Sequence, residues 1–202
     1  MTGFRAWLNR CRRRLWHGLF FRMLFGERLQ GQDLPNTRIS PSTCIEHEQS
    51  LNLGDDVFIG HFNFIEASAG VTIERGTQIT NFVSIVSHST HRSVRVAAEL
   101  SGQDPSKGAG AVIRAPIVIG ERSFIGPHST IEAGTTLGHG TLVAAHSRVR
   151  GVFPDFAVLA GSPAKLVGDT RDADERWLAG NPSLQAAYGR WRAALVSRGS
   201  SP

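Results

Sequence analysis

Two histidines, His88 and His91, stand three positions apart in the short polar run SHSTHR (87–92). Imidazole has an ordinary pKa of about 6.5, so near pH 7 it is neutral, basic and able to take a proton from a hydroxyl within hydrogen-bond reach. A single histidine on a surface segment is more often a solvated side chain than a base. These two gain weight from their position, at the start of a segment that interrupts a strict repeat.

Other chemistries are less well served by this composition. The chain has eight histidines, but no H-x4-H pair and no CxxC spacing, so a zinc site of three converging histidines has little local support. Cys11 and Cys44 are the only cysteines, too few for a disulfide framework, which fits a reducing compartment. The formal charge of +5 is concentrated in residues 1–30, where seven arginines face one acid, Glu27. The remainder is close to neutral, which argues against a nucleic-acid-binding face on the body of the protein.

The elements that must position the histidines follow from an aliphatic residue at every sixth place: Ile119, Ile125, Ile131, Leu137, Val143 and Val149. A helix repeats at 3.6 and a strand at 2, so neither alone produces this period. The same spacing runs through Leu53, Ile59 and Ile65, then through Ile73, Ile79 and Ile85 after a two-residue slip, with Ile39 and Ile45 ahead of them. Ser123, Ser129, Thr135, Thr141 and Ser147 follow four residues after their aliphatic partners, and glycine follows directly at 54, 60, 120, 126 and 138. Such a period specifies a solenoid of short strands and tight corners, three sides closing a coil of about 18 residues around an aliphatic axis. The period fails over about 86–112, which reads as a long loop thrown out of the coil, and long loops in compact domains are often functional. It stops again after Val149.

The flanks read as helical. Phe4, Trp7, Leu8, Cys11 and Leu15 form a stripe at helical spacing flanked by arginines, and residues 1–35 are expected to be a basic amphipathic helical segment. This stripe suits either an anionic membrane interface or a cap on the open end of the solenoid. LWHGLFF (15–21) is too short to span a bilayer. In the tail, 169–202, Leu184, Tyr188, Trp191 and Leu195 mark one face of a short helix expected to dock on the domain.

The isoleucine-led hexapeptides, the SHSTHR loop and the terminal GSPAKLVG (161–168) resemble the hexapeptide-repeat acyltransferases, and among them the maltose, galactoside and surface-polysaccharide O-acetyltransferases. The resemblance covers roughly 36–168. It implies an all-β solenoid, a left-handed parallel β-helix with N- and C-terminal helical extensions, assembled as a homotrimer with acetyl-CoA in a groove between neighbouring coils. It implies His88 as general base on the acceptor hydroxyl, with His91 in support, although Ser89 stands where relatives commonly have proline. Asn63, in HFNF, matches an acceptor-contacting asparagine; a corner-capping asparagine is the equal alternative. Backbone groups of the last coils, with Gly126 and Ala145, would hold the pantetheine, and Arg148, Arg150 and Lys165 the phosphates. Pro127 lacks the N–H that relatives often aim at the thioester carbonyl, so a neighbouring amide such as that of His128 would have to serve.

The expected activity is transfer of an acetyl group from acetyl-CoA, without a metal, to a sugar hydroxyl of a surface-polysaccharide or lipid-linked glycan precursor. A non-catalytic trimeric scaffold and a zinc carbonic anhydrase-like enzyme are the alternatives. The expected place is the cytoplasm, with residues 1–30 as a peripheral contact on the inner face of the membrane and no nucleic-acid partner.

Overall fold

The computed structural model describes residues 2–96 and 111–199; most of the interrupting loop, 97–110, lies outside the described residues. Helix α1 (Thr2–Phe20) leads into an antiparallel hairpin, Glu27–Leu29 with Gln32–Leu34. The hairpin departs from the expectation of helix over 1–35. Gln30 and Gly31 both take positive φ, 50° and 82°, the turn that suits a two-residue hairpin, and Leu34 swings inward to become fully buried at the first coil.

The body is a parallel β-solenoid of about five coils with three faces. The first face stacks Arg38–Ile39, Phe58–Ile59, Gln78–Ile79, Phe124–Ile125, Leu142–Val143 and Ala157–Gly161, closed by the antiparallel strand Ala164–Asp169. The second stacks Cys44–Glu46, Phe64–Glu66, Ser84–Val86, Thr130–Glu132 and Arg148–Val149. The third stacks Leu51–Leu53, Val71–Ile73, Ile117–Ile119, Thr136–Leu137 and Val152–Phe153. One aliphatic residue per side points to the axis, and Ile59, Ile65, Ile73, Ile79, Ile85 and Ile119 are wholly buried there. Each contributes about 1.5–3 kcal/mol over leaving it exposed, and only because the next coil covers it.

The strands run past Val149, where the sextet pattern ends. The side from Val149 to Phe153 is two residues short, with Gly151 at φ 126°, so the coil continues although the spacing does not. The hydroxyl positions are buried corner braces: Ser123 and Thr141 donate to the Gly138 carbonyl at 3.3 and 2.8 Å, and Ser129 to the Ala144 carbonyl at 3.1 Å.

The corner between first and second faces carries Phe62, Phe82, His128 and His146, all with φ between 57° and 60°. Their rings stack in column at centroid spacings of 5.2, 4.9 and 4.9 Å, close to the separation of neighbouring strands. The corner between third and first faces receives the C-terminal helices α3 (Thr170–Leu178) and α4 (Pro182–Ser197). Trp191 packs edge-on against Phe156, its indole N–H donates to Glu121 at 3.3 Å, and Arg198 pairs with Glu121 at 2.7 Å. Of the expected α4 stripe, Trp191 and Leu195 are buried, Tyr188 packs beside them, and Leu184 faces solvent.

Candidate active site

The corner between second and third faces holds the loop. The chain leaves the second face after Val86, and His88–Ser89 pairs antiparallel with Ile113–Arg114 where it returns. A short helix, α2 (Ser93–Val96), caps the described part of the excursion. In the coil before the loop this corner holds the two extra residues between Ile65 and Ile73, and residues 66–69 form a shelf against His88.

That shelf supplies the partner that the sequence did not disclose. His88 Nδ1 lies 2.7 Å from Glu66 Oε2 and 3.3 Å from Ser68 Oγ. The Glu66 side chain is 3 % exposed, while that of His88 is one-third exposed. The second carboxylate oxygen accepts the Ser68 backbone N–H at 2.8 Å, and the Ser87 hydroxyl donates to Oε2 at 2.9 Å. Ser87 Oγ in turn accepts the Ala69 N–H at 2.9 Å, so every arm of the carboxylate is braced. Burial pushes the Glu66 carboxyl up, but hydrogen bonds from Ser68, His88 and Ser87 outweigh it and hold the pKa down at about 2. An ionised Glu66 accepts the Nδ1 proton of His88 and leaves the lone pair on Nε2, the tautomer a base needs.

His88 and His91 line one cavity of about 450 Å³ together with Thr130, Glu132, Arg148 and Arg150. His91 sits further out, its Nδ1 2.7 Å from Ser89 Oγ. Arg148 is 3.0 Å from Glu132, and Arg150 is exposed beside it. The fold therefore brings two candidate bases and two candidate phosphate-binding cations to one cavity, a combination that suits a polyanionic co-substrate beside a hydroxyl.

The remaining expected residues lie elsewhere in the chain. Gly126 and Ala145 face each other at the corner between first and second faces, where a Cβ on Gly126 would come within 2.6 Å of the Ala145 nitrogen. Lys165 is exposed on the closing strand of the first face. Asn63 is a corner brace rather than an acceptor contact. It is 3 % exposed, its amide donates to the Gly60 and Thr80 carbonyls at 3.0 and 2.7 Å, and its oxygen accepts the Val83 N–H at 2.7 Å. The His128 N–H, the expected substitute for the missing donor at Pro127, donates to the Asn81 carbonyl at 3.2 Å. His128 and His146 stack in parallel instead of converging, and among the described residues no three metal-ligating side chains meet.

Glu66 did leave a trace in the sequence: glutamate follows the axial isoleucine at 46, 66, 74 and 132. Glu66 lies directly opposite Val86, two residues before His88, which singles it out once the register is known.

Residues 116–151 match the family described as Bacterial transferase hexapeptide (six repeats). A Mycobacterium tuberculosis protein provisionally named an acetyltransferase is 30 % identical over 146 residues, 72 % of this chain and 46 % of its own length. An Escherichia coli protein provisionally named a lipopolysaccharide biosynthesis O-acetyl transferase is 32 % identical over 61 % of this chain and 62 % of its own. The chain thus spans about half to three fifths of the length of these curated relatives. Among solved structures, a hexapeptide-repeat acetyltransferase of Vibrio cholerae complexed with acetyl coenzyme A is 25 % identical, with a TM-score of 0.57 over 66 % of this chain and 68 % of that one. In its repeat and its three-faced solenoid, this chain is thus similar in sequence and in fold to the hexapeptide-repeat transferases.

Proposed function

We propose that the protein is an acyl-CoA-dependent O-acetyltransferase that acts on a sugar hydroxyl of a surface-polysaccharide or lipid-linked glycan precursor. The observation that carries the reading is the Glu66–His88 pair at 2.7 Å on the wall of a cavity that also presents Arg148 and Arg150. A scaffold has no use for a buried, fully braced carboxylate that fixes the tautomer of a half-open imidazole. The E. coli relative supports the acceptor class by its name, and the V. cholerae structure supports acetyl-CoA as donor.

Arg148 and Arg150 are the cations suited to the phosphates of the coenzyme. When bound, the thioester supplies the acyl carbon. His88 Nε2 takes the proton of the acceptor hydroxyl as its oxygen forms the new ester bond, and returns that proton to the sulfur as the carbon–sulfur bond breaks. Glu66 stays ionised throughout and stabilises the imidazolium that exists between the two transfers. Gly126, Ala145 and Lys165 sit on a different part of the coil from His88, an arrangement in which a neighbouring copy would complete the site; a homotrimer is part of the proposal. The cytoplasm, where acyl-CoA is available, is the proposed compartment.

The test is thiol release from acetyl-CoA in the presence of nucleotide sugars and lipid-linked oligosaccharides, with mass spectrometry of the acceptors. Release that depends on an acceptor, with an acceptor mass increased by one acetyl group, supports the reading. No acceptor-dependent release across the panel, from protein shown to be folded, would count against it.

A further inference from the structure

Helix α1 leaves its apolar stripe uncovered. At 3.6 residues per turn, Phe4, Trp7, Leu8, Cys11, Leu15 and Leu19 fall within an arc of about 120° on a rod about 28 Å long. Phe4, Trp7, Leu8, Leu15 and Leu19 are between 42 % and 68 % exposed. The solenoid does not cover them. The attachment is made just beyond the helix, where Phe21 packs on His61 and Phe62 at 5.2 and 5.6 Å. Leu24 and Phe25, on the short stretch that follows, are exposed as well.

The charges are placed to match. Arg5 and Arg12 lie along one edge of the arc and Arg10 and Arg14 along the other, and no acidic residue occurs before Glu27. No helix among the described residues is long and apolar enough to cross a membrane. A nucleic-acid backbone would engage the arginines but leave the aromatic and leucine arc in water. A second copy would cover the arc but bring two rows of arginine together.

We propose that α1 lies in the plane of an anionic lipid bilayer, its apolar arc in the acyl boundary and its flanking arginines at the headgroups. The proposal stands apart from the acyl-transfer reading and adds to it a surface that holds the protein where lipid-carried glycans are found.

The test uses full-length protein and sedimenting vesicles of phosphatidylcholine alone or mixed with phosphatidylglycerol, at low and high salt. Binding to the mixed vesicles alone, weakened by salt, is expected. The fourfold variant Arg5→Gln, Arg10→Gln, Arg12→Gln, Arg14→Gln should partition several hundred-fold more weakly, from about fivefold per arginine. Leu8→Gln with Leu15→Gln should also abolish binding, while thiol release with a water-soluble acceptor stays at the wild-type rate in both variants. Equal binding to both vesicle types, wild-type protein left in the supernatant, or unchanged binding by the fourfold variant would each overturn the proposal. So would lipid-free protein whose oligomeric mass falls on Leu8→Gln with Leu15→Gln, since a second copy would then be the occupant. Binding of duplex DNA without binding to vesicles would overturn it likewise.

Discussion

Glu66→Gln alters a single atom, and the structure dictates where that atom goes. The Ser68 N–H donates to Oε1 at 2.8 Å, so the glutamine carbonyl must occupy that place and its NH2 must take the position of Oε2. There it meets His88 Nδ1 at about the 2.7 Å now spanned by the ion pair. Two donors cannot share that contact, so the imidazole moves its proton to Nε2 and loses the lone pair aimed at the acceptor. General-base catalysis contributes roughly 10²–10⁴-fold, and the expected loss in kcat is about 10²–10³-fold, with KM for acetyl-CoA within about threefold of wild type. Adding Glu66→Gln to a His88→Ala background should cost almost nothing more, because Glu66 acts through His88. The assay is steady-state thiol release, with circular dichroism as a control for folding. If Glu66→Gln kept more than about a third of the wild-type kcat, or its loss added in full to that of His88→Ala, the tautomer argument would fail.

The same carboxylate makes stability pH-dependent. Its folded pKa of about 2 lies below the ordinary 4.5, so its contribution is complete above about pH 4.5 and is lost as pH falls through about 2. That contribution is at most about 3 kcal/mol, and the difference in urea midpoint between wild type and Glu66→Gln should shrink between pH 6 and pH 3. His91→Ala should lower kcat by less than about threefold, since among the described residues the hydrogen bond of its ring is to Ser89 at the rim; a loss exceeding that of His88→Ala would reverse the two roles. Arg150→Ala should raise KM for acetyl-CoA about tenfold with kcat little changed, and by more than Arg148→Gln, whose guanidinium is already engaged by Glu132. Asn63→Ala leaves the Val83 N–H without its partner and should destabilise the protein by about 1–3 kcal/mol in chemical denaturation, with activity per folded molecule preserved.

The sequence disclosed the solenoid because the axis admits one aliphatic residue per side, and that demand shows at Ile119, Ile125 and Ile131 without any knowledge of neighbours. It concealed the last coil because the shortened side between Val149 and Phe153 keeps the stacking while breaking the count. The N-terminal hairpin was hidden by the run before it: residues 4–25 are apolar and arginine-rich and suit a helix, and the polar stretch ERLQGQDL (27–34) that follows turns where Gln30 and Gly31 adopt left-handed dihedrals. The loop histidines were visible as residue types, but their partner was not. Glu66 and His88 meet only because consecutive coils place Val86 opposite Glu66, a register that the two-residue slip obscures. Asn63 read equally as an acceptor contact or a corner cap, and its burial, which commits the amide to three backbone groups, favours the cap.

The excursion that carries His88 begins and ends at the same vertex. Ile85 and Ile131, 46 positions apart in the chain, lie side by side on the second face as though nothing had intervened. Whatever happens between them leaves the phase of every later rung untouched, because the spiral registers height per turn and is indifferent to contour length. Such an insertion can be lengthened, trimmed or exchanged without retuning the shaft, so selection could refashion the mouth of the site while inheriting the Glu66 anchor unchanged.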